Sequence, residues 1–249
     1  TSLRGVVTAE FTVRTLDHAL HSGMYGGPVL DAVTCAARLV ATLHDADGAV
    51  AVRGLASYDD ATAEYAEEDL RADTGLLDGV RLTGRGSIAS RLWTQPSLTV
   101  IGMDVTSTAE ASNTLIPACT VRLSLRVAPG QDPGEAAQAL VRHLEENAPF
   151  GARVEASVEE TGPAFKAAGD SPAASALARA WGRPPVDIGV GGSIPFIADL
   201  HDAFPEADIL VTGVEDPDTR AHSQNESLHL GDWRNAILAE ALLLSRLAG

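Results

Sequence analysis

Residues 119–127 read CTVRLSLRV, and apolar and polar side chains alternate along this segment without interruption. The apolar positions are Cys119, Val121, Leu123, Leu125 and Val127. The polar positions are Thr120, Arg122, Ser124 and Arg126. Successive side chains of a β-strand point to opposite faces of its sheet, so a period of two predicts a strand that buries one face only.

The same period of two recurs elsewhere in the chain. The segments that show it are VVTAEFTVR at 6–14, SLTVIGMDV at 97–105 and ARVEASVEE at 152–160. Apolar residues at helical spacing predict one helix that Pro28 opens and that runs to about Leu43, and a second helix at 135–148. Strand, helix, strand, strand, helix, strand is the order of an α+β ferredoxin-like (βαββαβ) domain, in which two helices cover one face of an antiparallel sheet.

We predict that this domain occupies residues 1–163 and carries an insertion at about 47–97. The insertion has weak periodicity, many acids and scattered glycines, which favours an irregular surface excursion with one short helix around 61–70. The glycine- and proline-containing stretch 161–172, TGPAFKAAGDSP, has the composition of a linker to a second segment.

The remaining residues, 164–249, predict a different architecture. The expected elements are helices at 171–181, 197–204 and 232–248, a glycine-rich turn at 189–196 and an apolar strand at 208–214. This alternation is typical of an α/β segment with a helix-covered parallel sheet. One or two strands would leave long edges and apolar faces uncovered, so we expect this segment to be part of an incomplete domain.

The totals exclude several classes of function. Subtracting 34 Asp and Glu from 18 Lys and Arg gives a net charge of −16, which repels phosphate backbones and argues against nucleic acid as a partner. No apolar run approaches the roughly 18 residues of a membrane span, and the first residues do not resemble a signal peptide. Cys35 and Cys119 are the only cysteines and support no disulfide framework, so we expect a reducing compartment, the cytoplasm.

One histidine in the polar stretch 215–230, EDPDTRAHSQNESLHL, is a candidate metal ligand. His222 follows the predicted apolar strand, and α/β folds bind their ligands at the carboxyl ends of strands. Zinc takes three or four protein ligands, so His222 alone is a fraction of a site. A solvated loop histidine remains the alternative interpretation, and position alone does not decide between the two.

Other polar residues have both a functional and an ordinary interpretation. His18 and His21 form a His-x-x-His pair that lacks a third ligand nearby, and either can instead hydrogen-bond at the end of a strand. Arg126 presents the planar fork that binds a free carboxylate, although an isolated arginine there is more often a surface ion pair. Asn113 fits turn chemistry, and the glycines of GGSIPF at 191–196 can bind an anion or simply form a turn.

Taken together, four segments resemble one family in their order along the chain. The segments are LDHALHSGMYGGPVLDAV at 16–33, SNTLIPACTVRLSLRVAPGQDP at 112–133, GGSIPF at 191–196 and RAHSQNE at 220–226. The family is that of the dinuclear-zinc metallopeptidases, which includes carnosinase-like dipeptidases, aminoacylases and succinyl-diaminopimelate desuccinylases. The resemblance covers essentially the whole chain and is strongest to the dipeptidases.

The resemblance implies a catalytic domain interrupted by a ferredoxin-like lid that also forms a homodimer. It implies two Zn²⁺ ions per complete site, with His222 as one ligand, and a lid histidine, His21, that enters the partner subunit's site and polarises the scissile carbonyl. The residues that match positions holding the substrate and its terminal carboxylate are Asn113, Arg126, Gly192 and Ser193. His18 matches no ligand of the family.

Two departures from the family pattern matter. Gly189 and Val190 stand where the family often has a basic and an acidic residue, so we expect carboxylate binding near Ser193 to be weaker or differently shared. The family's other metal ligands, and the glutamate that accepts a proton from metal-activated water, match nothing in this chain. The resemblance therefore implies an upstream half that supplies them, and the chain alone is expected to be inactive.

Three hypotheses emerge from the sequence. The first is the lid and C-terminal part of a zinc dipeptidase that acts on short peptides with a free C-terminus. The second keeps the enzyme but changes its substrate to an N-acyl amino acid. The third is a non-catalytic ferredoxin-like dimerisation or binding module. A homodimer is expected in each case that uses the lid, because the edge strand of its sheet needs a cover.

Overall fold

The structure is a computed structural model that describes residues 2–166, 173–191, 195–204, 207, 209–214, 219–220 and 224–248. Its strands are β1 (Ser2–Leu3), β2 (Gly5–Arg14), β3 (Leu20–His21), β4 (Ser97–Met103), β5 (Thr114–Leu115), β6 (Ala118–Val127), β7 (Arg153–Gly162), β8 (Phe165–Lys166) and β9 (Gly189–Val190). Its helices are α1 (Ser22–Tyr25), α2 (Ala32–Ala41), α3 (Glu67–Thr74), α4 (Ile88–Trp93), α5 (Pro133–Glu146), α6 (Ala174–Trp181), α7 (Pro195–Ala203) and α8 (Leu230–Leu247).

The main sheet has four antiparallel strands in the order β4, β6, β2, β7. It contains all four strands that the period of two predicts. The central pair, β2 and β6, stays in register along its whole length, from Gly5 opposite Val127 to Arg14 opposite Ala118. Each central strand places its apolar residues on one face, as the alternation requires.

Two helices, α2 and α5, pack on that apolar face and close the hydrophobic core. Phe11, Leu123 and Leu140 are among the largest fully buried side chains. The sequence predicts that the first helix starts at Pro28, and this start is wrong. Asp31 is the N-cap, because its Oδ1 accepts a hydrogen bond from the Thr34 N–H at 2.9 Å, so the helix begins at Ala32.

The opposite face of the sheet is polar. Thr12 and Thr120 hydrogen-bond through their hydroxyl groups at 3.0 Å, and Arg122 forms an ion pair with Glu159 at 2.8 Å. Cross-strand pairs of this kind stabilise a solvated face and explain why the sequence alternates so regularly. Arg126 lies on this same face near the end of β6.

The insertion at 47–97 is more ordered than the sequence suggests. It contains two short helices, α3 and α4, whereas the sequence predicts one. The second helix has only six residues, too few to show a period. Part of the insertion is also buried: Ser90 is fully shielded from solvent, and its Oγ accepts a hydrogen bond from the Ala61 N–H at 3.1 Å.

A small second sheet, in the order β8, β1, β9, joins distant parts of the chain. Strand β1 pairs antiparallel with β8 and parallel with β9. The linker expected at 161–172 therefore begins with ordered strand residues, namely the end of β7 and all of β8. Residues 167–172 lie outside the described part. The domain boundary between 163 and 164 stays a prediction.

The C-terminal region contains the expected helices in α6, α7 and α8. The strand expected at 208–214 is not formed at 209–214, where the described chain has no regular structure. A strand needs a neighbouring strand to pair with its main chain, and no described residue pairs with these. Leu210, Thr212 and Val214 instead line a cavity between α6 and α8. None of the helices in the described ranges is long and apolar enough to cross a membrane.

Leu123→Ala tests whether the alternation sets the core. Leu123 has no exposed surface, so its truncation should lower the free energy of unfolding by about 2–5 kcal/mol. The matched control is Ser124→Ala, one residue further along β6 on the polar face, which should change it by less than about 1 kcal/mol. Urea unfolding followed by circular dichroism measures both values. Equal losses in the two variants would contradict the assigned faces.

Candidate functional site

Two of the predicted site residues, His21 and Asn113, are brought together by a two-stranded sheet. Strand β3 pairs with β5 so that His21 lies opposite Thr114. The Ser22 N–H also donates a hydrogen bond to the Asn113 carbonyl oxygen at 2.9 Å. His21 and Asn113 are about 90 positions apart in sequence, and only main-chain pairing makes them neighbours.

The local geometry of His21 determines which nitrogen of its neutral ring carries the proton. His21 is the N-cap of α1, and its Nδ1 accepts a hydrogen bond from the Gly23 N–H at 3.1 Å. Because Nδ1 is an acceptor, the neutral imidazole carries its proton on Nε2. The side chain is exposed. His21 therefore offers an N–H donor to a ligand, and it also has a role in capping that its sequence context does not reveal.

The third predicted residue, Arg126, lies at the other end of β6. It is half-buried and sits opposite Val6 of β2 and Ser97 of β4. Its guanidinium makes no hydrogen bond or ion pair with any side chain that the structure describes. The surface ion pair that was the ordinary interpretation of Arg126 is thus not seen among these residues, and its donors can serve an anion.

A second arginine beside Arg126 was not predicted from the sequence. Arg4 is only 8% exposed, and its Nη1 donates to the Ser97 Oγ at 3.1 Å and to the Gln95 carbonyl oxygen at 3.3 Å. Burial, together with the positive charge of Arg126, lowers the pKa of Arg4 to about 10. Nothing in the sequence marks Arg4, since an arginine next to a strand normally indicates a solvated position.

Two glycines allow the chain to pass close to these residues. A Cβ atom at Gly189 would lie 2.2 Å from the Cβ of Trp93, and one at Gly191 would lie 2.9 Å from Nη2 of Arg4. The side chain of Trp93 therefore occupies the space that a side chain at 189 would need. This contact explains why a basic residue is not accommodated at this position of the chain.

The two groups of site residues are far apart within one chain. Eight residue steps of about 3.3 Å separate Ala118 from Arg126, so the two ends of β6 lie about 26 Å apart. His21 and Asn113 lie beyond the Ala118 end, because the Thr15 N–H bonds the Pro117 carbonyl oxygen and extends the ladder in that direction. One protomer therefore does not bring His21 and Arg126 to the same small ligand.

Three predicted site residues, Gly192, Ser193 and His222, lie outside the described residues, so their roles stay predictions. Among the residues that are described, no group of three or more His, Cys, Asp and Glu side chains could hold a metal ion. The described part of the chain thus does not by itself fit a zinc site. His18 pairs with the adjacent Asp17 at the surface, in line with its ordinary interpretation.

The family of this chain follows from its match to a known sequence profile. The sequence profile described as the peptidase dimerisation domain, of the M20 peptidases, matches residues 1–152. The chain belongs to the M20 peptidase dimerisation domain family. The resemblance to metallopeptidases is thereby confirmed, as is a mixed α and β dimerisation domain.

Curated relatives of this M20 chain include dipeptidases. A cysteinylglycine-S-conjugate dipeptidase of Corynebacterium striatum is 32% identical over 98% of this chain and 55% of the relative. The Cys-Gly metallodipeptidase DUG1 of Saccharomyces cerevisiae is 26% identical over 93% of this chain and 51% of the relative. The solved structure of the di-peptidase Dug1p of Saccharomyces cerevisiae matches with a TM-score of 0.75 at 22% identity, over 98% of this chain and 54% of that one. The chain spans about half the length of the curated relatives it matches.

Gly189→Ala tests the contact with Trp93 in this M20 chain. The added Cβ should push the indole away and lower the free energy of unfolding by about 1–3 kcal/mol. The control is Gly213→Ala, because nothing lies within 4 Å of a Cβ there, and stability should stay level or rise by up to about 1 kcal/mol. Thermal unfolding of both variants is the measurement. An equally mild effect at both glycines would show that Trp93 yields freely.

Proposed function

We propose that the complete protein is a metal-dependent dipeptidase that hydrolyses dipeptides or short peptides with a free C-terminus. This chain supplies its lid and the C-terminal part of its catalytic domain. The observation that supports the proposal most strongly is a pair of groups at the two ends of β6. They are the exposed Nε2–H donor of His21 and the guanidinium of Arg126, which pairs with no described side chain. A substrate with a carbonyl and a nearby carboxylate matches these groups when His21 of one protomer lies beside Arg126 of its partner.

Each of these residues has a defined task in this proposal. Arg126 binds the terminal carboxylate through paired hydrogen bonds, which fixes the peptide at one end. His21 donates from Nε2 to the oxygen of the scissile carbonyl, where negative charge develops in the transition state. Asn113, which is adjacent to His21 along the β3–β5 sheet, orients the same end of the substrate. Gly192 and Ser193 complete the substrate contacts.

The metal remains part of the proposal. A relative is named a metallodipeptidase, and we propose two zinc ions per complete site, with His222 as one ligand. Zinc, when bound, supplies an activated water for hydrolysis. The other ligands and the general base would come from polypeptide outside this chain.

The distance along β6 supports a homodimer in which the partner subunit completes each site. A dipeptide spans about 7 Å, whereas His21 and Arg126 of one chain are separated by about 26 Å or more. That gap exceeds the reach of both side chains together. We infer that the two residues that meet one substrate belong to different protomers. An isologous two-fold dimer forms two such sites at once.

The main sheet offers a surface for this dimer. Its strand order, with β2 between β6 and β7 and β4 at one edge, supports assigning it to the ferredoxin-like fold. Val100 and Ile101 of the edge strand β4 are 38% and 55% exposed, and β4 pairs with only one described strand. An exposed apolar edge favours pairing with another chain.

The apolar surface of the C-terminal helices supports our proposal that further polypeptide completes the catalytic domain. In α8 the side chains of Leu230, Leu244 and Leu247 are largely exposed, and Trp233 is half exposed. A helix that is apolar on most of its faces is normally buried in the core of a larger domain. We propose that the upstream half of the catalytic domain covers this surface.

The free, buried thiols of Cys35 and Cys119 are consistent with a protein of the cytoplasm.

Mixed dimers test the shared site. In the complete enzyme, His21→Ala and Arg126→Met should each lower kcat/KM at least about 100-fold, because each removes a transition-state or carboxylate contact. Mixing and re-equilibrating the two variants should restore about a quarter of wild-type activity, since about half of the dimers are mixed and each of these has one intact site.

The control mixture is His21→Ala with Asn113→Ala. These residues lie side by side in one protomer and serve the same site, so a mixed dimer should place the two changes in different sites and leave neither site intact. Activity that returns to the same extent in the control mixture would contradict a site shared in this way, as would no recovery in the His21 and Arg126 mixture.

The division of the catalytic domain is tested by reconstitution. The 249-residue chain should show no hydrolysis of a dipeptide in the presence of Zn²⁺, and it should gain activity when it is produced together with the polypeptide encoded upstream in the same frame. Release of amino acids is the measurement, with an N-acetyl amino acid as a parallel substrate. A preference for the N-acetyl substrate would favour the amidohydrolase, and no activity in either case would favour a non-catalytic module.

A further inference from the structure

A buried arginine stands next to Arg126 with no described acid to balance its charge. Arg4 is only 8% exposed to solvent, and its Nε has no hydrogen-bond partner among the described residues. The partners of its Nη1, the Gln95 carbonyl oxygen and the Ser97 hydroxyl, are both neutral. Ser97 pairs directly with Arg126 across β4 and β6, so the two guanidinium groups share one end of the polar face of the sheet.

Burial without an ion pair to a described acid sets Arg4 apart from the arginines that pair with acids at the surface. Arg122, on the same face of β6, pairs with Glu159, and Arg85 pairs with both Asp45 and Asp47 at the surface. Arg4 and Arg126 form no such ion pair with a described acid, although one of them is almost fully buried. Burying an unpaired charge beside a like charge costs free energy unless an anion offsets it.

We propose that Arg4 is a positioning residue of the carboxylate site that the proposed function assigns to Arg126, and that it lies directly behind the arginine that contacts the carboxylate. Arg4 adds a second positive charge and, through Ser97, holds the strand that faces Arg126. Because it names the groups that hold one end of the substrate, this assignment rests on the proposed function.

The assignment explains how the site keeps a positive charge although Gly189 stands where the family often has a basic residue. The contact with Trp93 excludes a basic side chain there, yet the site still requires positive charge. Arg4 reaches the same region from the opposite direction: its N–H bonds the Val190 carbonyl oxygen at 3.4 Å, and its Nη2 lies against Gly191. Burial, and after it the charge of Arg126, lowers the pKa of Arg4, and a bound carboxylate would offset the repulsion between the two guanidinium groups.

Nitrogen-15 NMR of the arginine Nε–H groups tests the assignment on the 249-residue chain. Glycylglycine is the probe, and glycylglycinamide, which lacks the carboxylate, is its control. We expect the Nε–H resonances of Arg4 and Arg126 to shift together on addition of glycylglycine and to stay in place with glycylglycinamide. A shift of Arg126 alone would overturn the role of Arg4 and leave the proposed function intact. No shift of either resonance would overturn the carboxylate site at Arg4 and Arg126, while hydrolysis by the reconstituted enzyme tests the proposed function independently.

Charge-preserving and charge-removing variants give a second readout. Arg4→Lys should keep the affinity for glycylglycine within about threefold, whereas Arg4→Met should weaken it at least about tenfold through loss of the nearby charge. Arg122→Met changes the net charge by the same amount and should leave the affinity unaltered. Amide spectra confirm that each variant is folded. Equal weakening by the Lys and Met variants would show that Arg4 acts only in packing. If either variant does not fold, the Nε–H shifts of Arg4 in the wild-type chain test its role.

Discussion

The continuous pairing of β2 with β6 is the constraint on which the other features of this protein depend. Ten residues of each strand pair in antiparallel register without a shift. This register places the apolar residues of the two strands on the face covered by α2 and α5. A slip of one residue would expose the core and bury the polar face, so the register is strongly specified. The same register holds Arg126 on the polar face, near the end of β6.

The length of this pair of strands also keeps the two groups of candidate site residues apart. One end of β6 leads into the short β3–β5 sheet with His21, and the other end carries Arg126 beside Arg4. A rigid strand does not allow these ends to approach one another. The proposed dipeptidase site needs both groups, so in that proposal each site is assembled from two chains, and the exposed edge of the sheet supplies a surface for their contact.

The candidate site concentrates features that do not help folding. A buried arginine whose Nε has no described partner, a second arginine without an ion pair to any described acid, and close-packed glycines at 189 and 191 all lie around one end of the sheet. Elsewhere the polar face follows ordinary rules, as the Arg122–Glu159 pair shows. Groups left unsatisfied in a stable domain are expected where a ligand completes them. The exposed apolar surface of α8 has a different origin, since it fits contact with polypeptide rather than with a small ligand.

The pattern of apolar residues in the sequence was enough to predict the four strands, the two covering helices and their order, because a period of two or of 3.6 is imposed locally by which side chains must be buried. Its motifs also singled out His21, Asn113 and Arg126. The folded chain was needed to show that His21 caps a helix through Nδ1, that a six-residue helix carries Trp93 to Gly189, and that Arg4 lies buried beside Arg126. These facts depend on contacts between residues about 90 to 120 positions apart or on single hydrogen bonds, which leave no periodic trace in the chain. The strand expected at 208–214 is not formed at 209–214 for a related reason: an apolar run becomes a strand only where another strand accepts its hydrogen bonds.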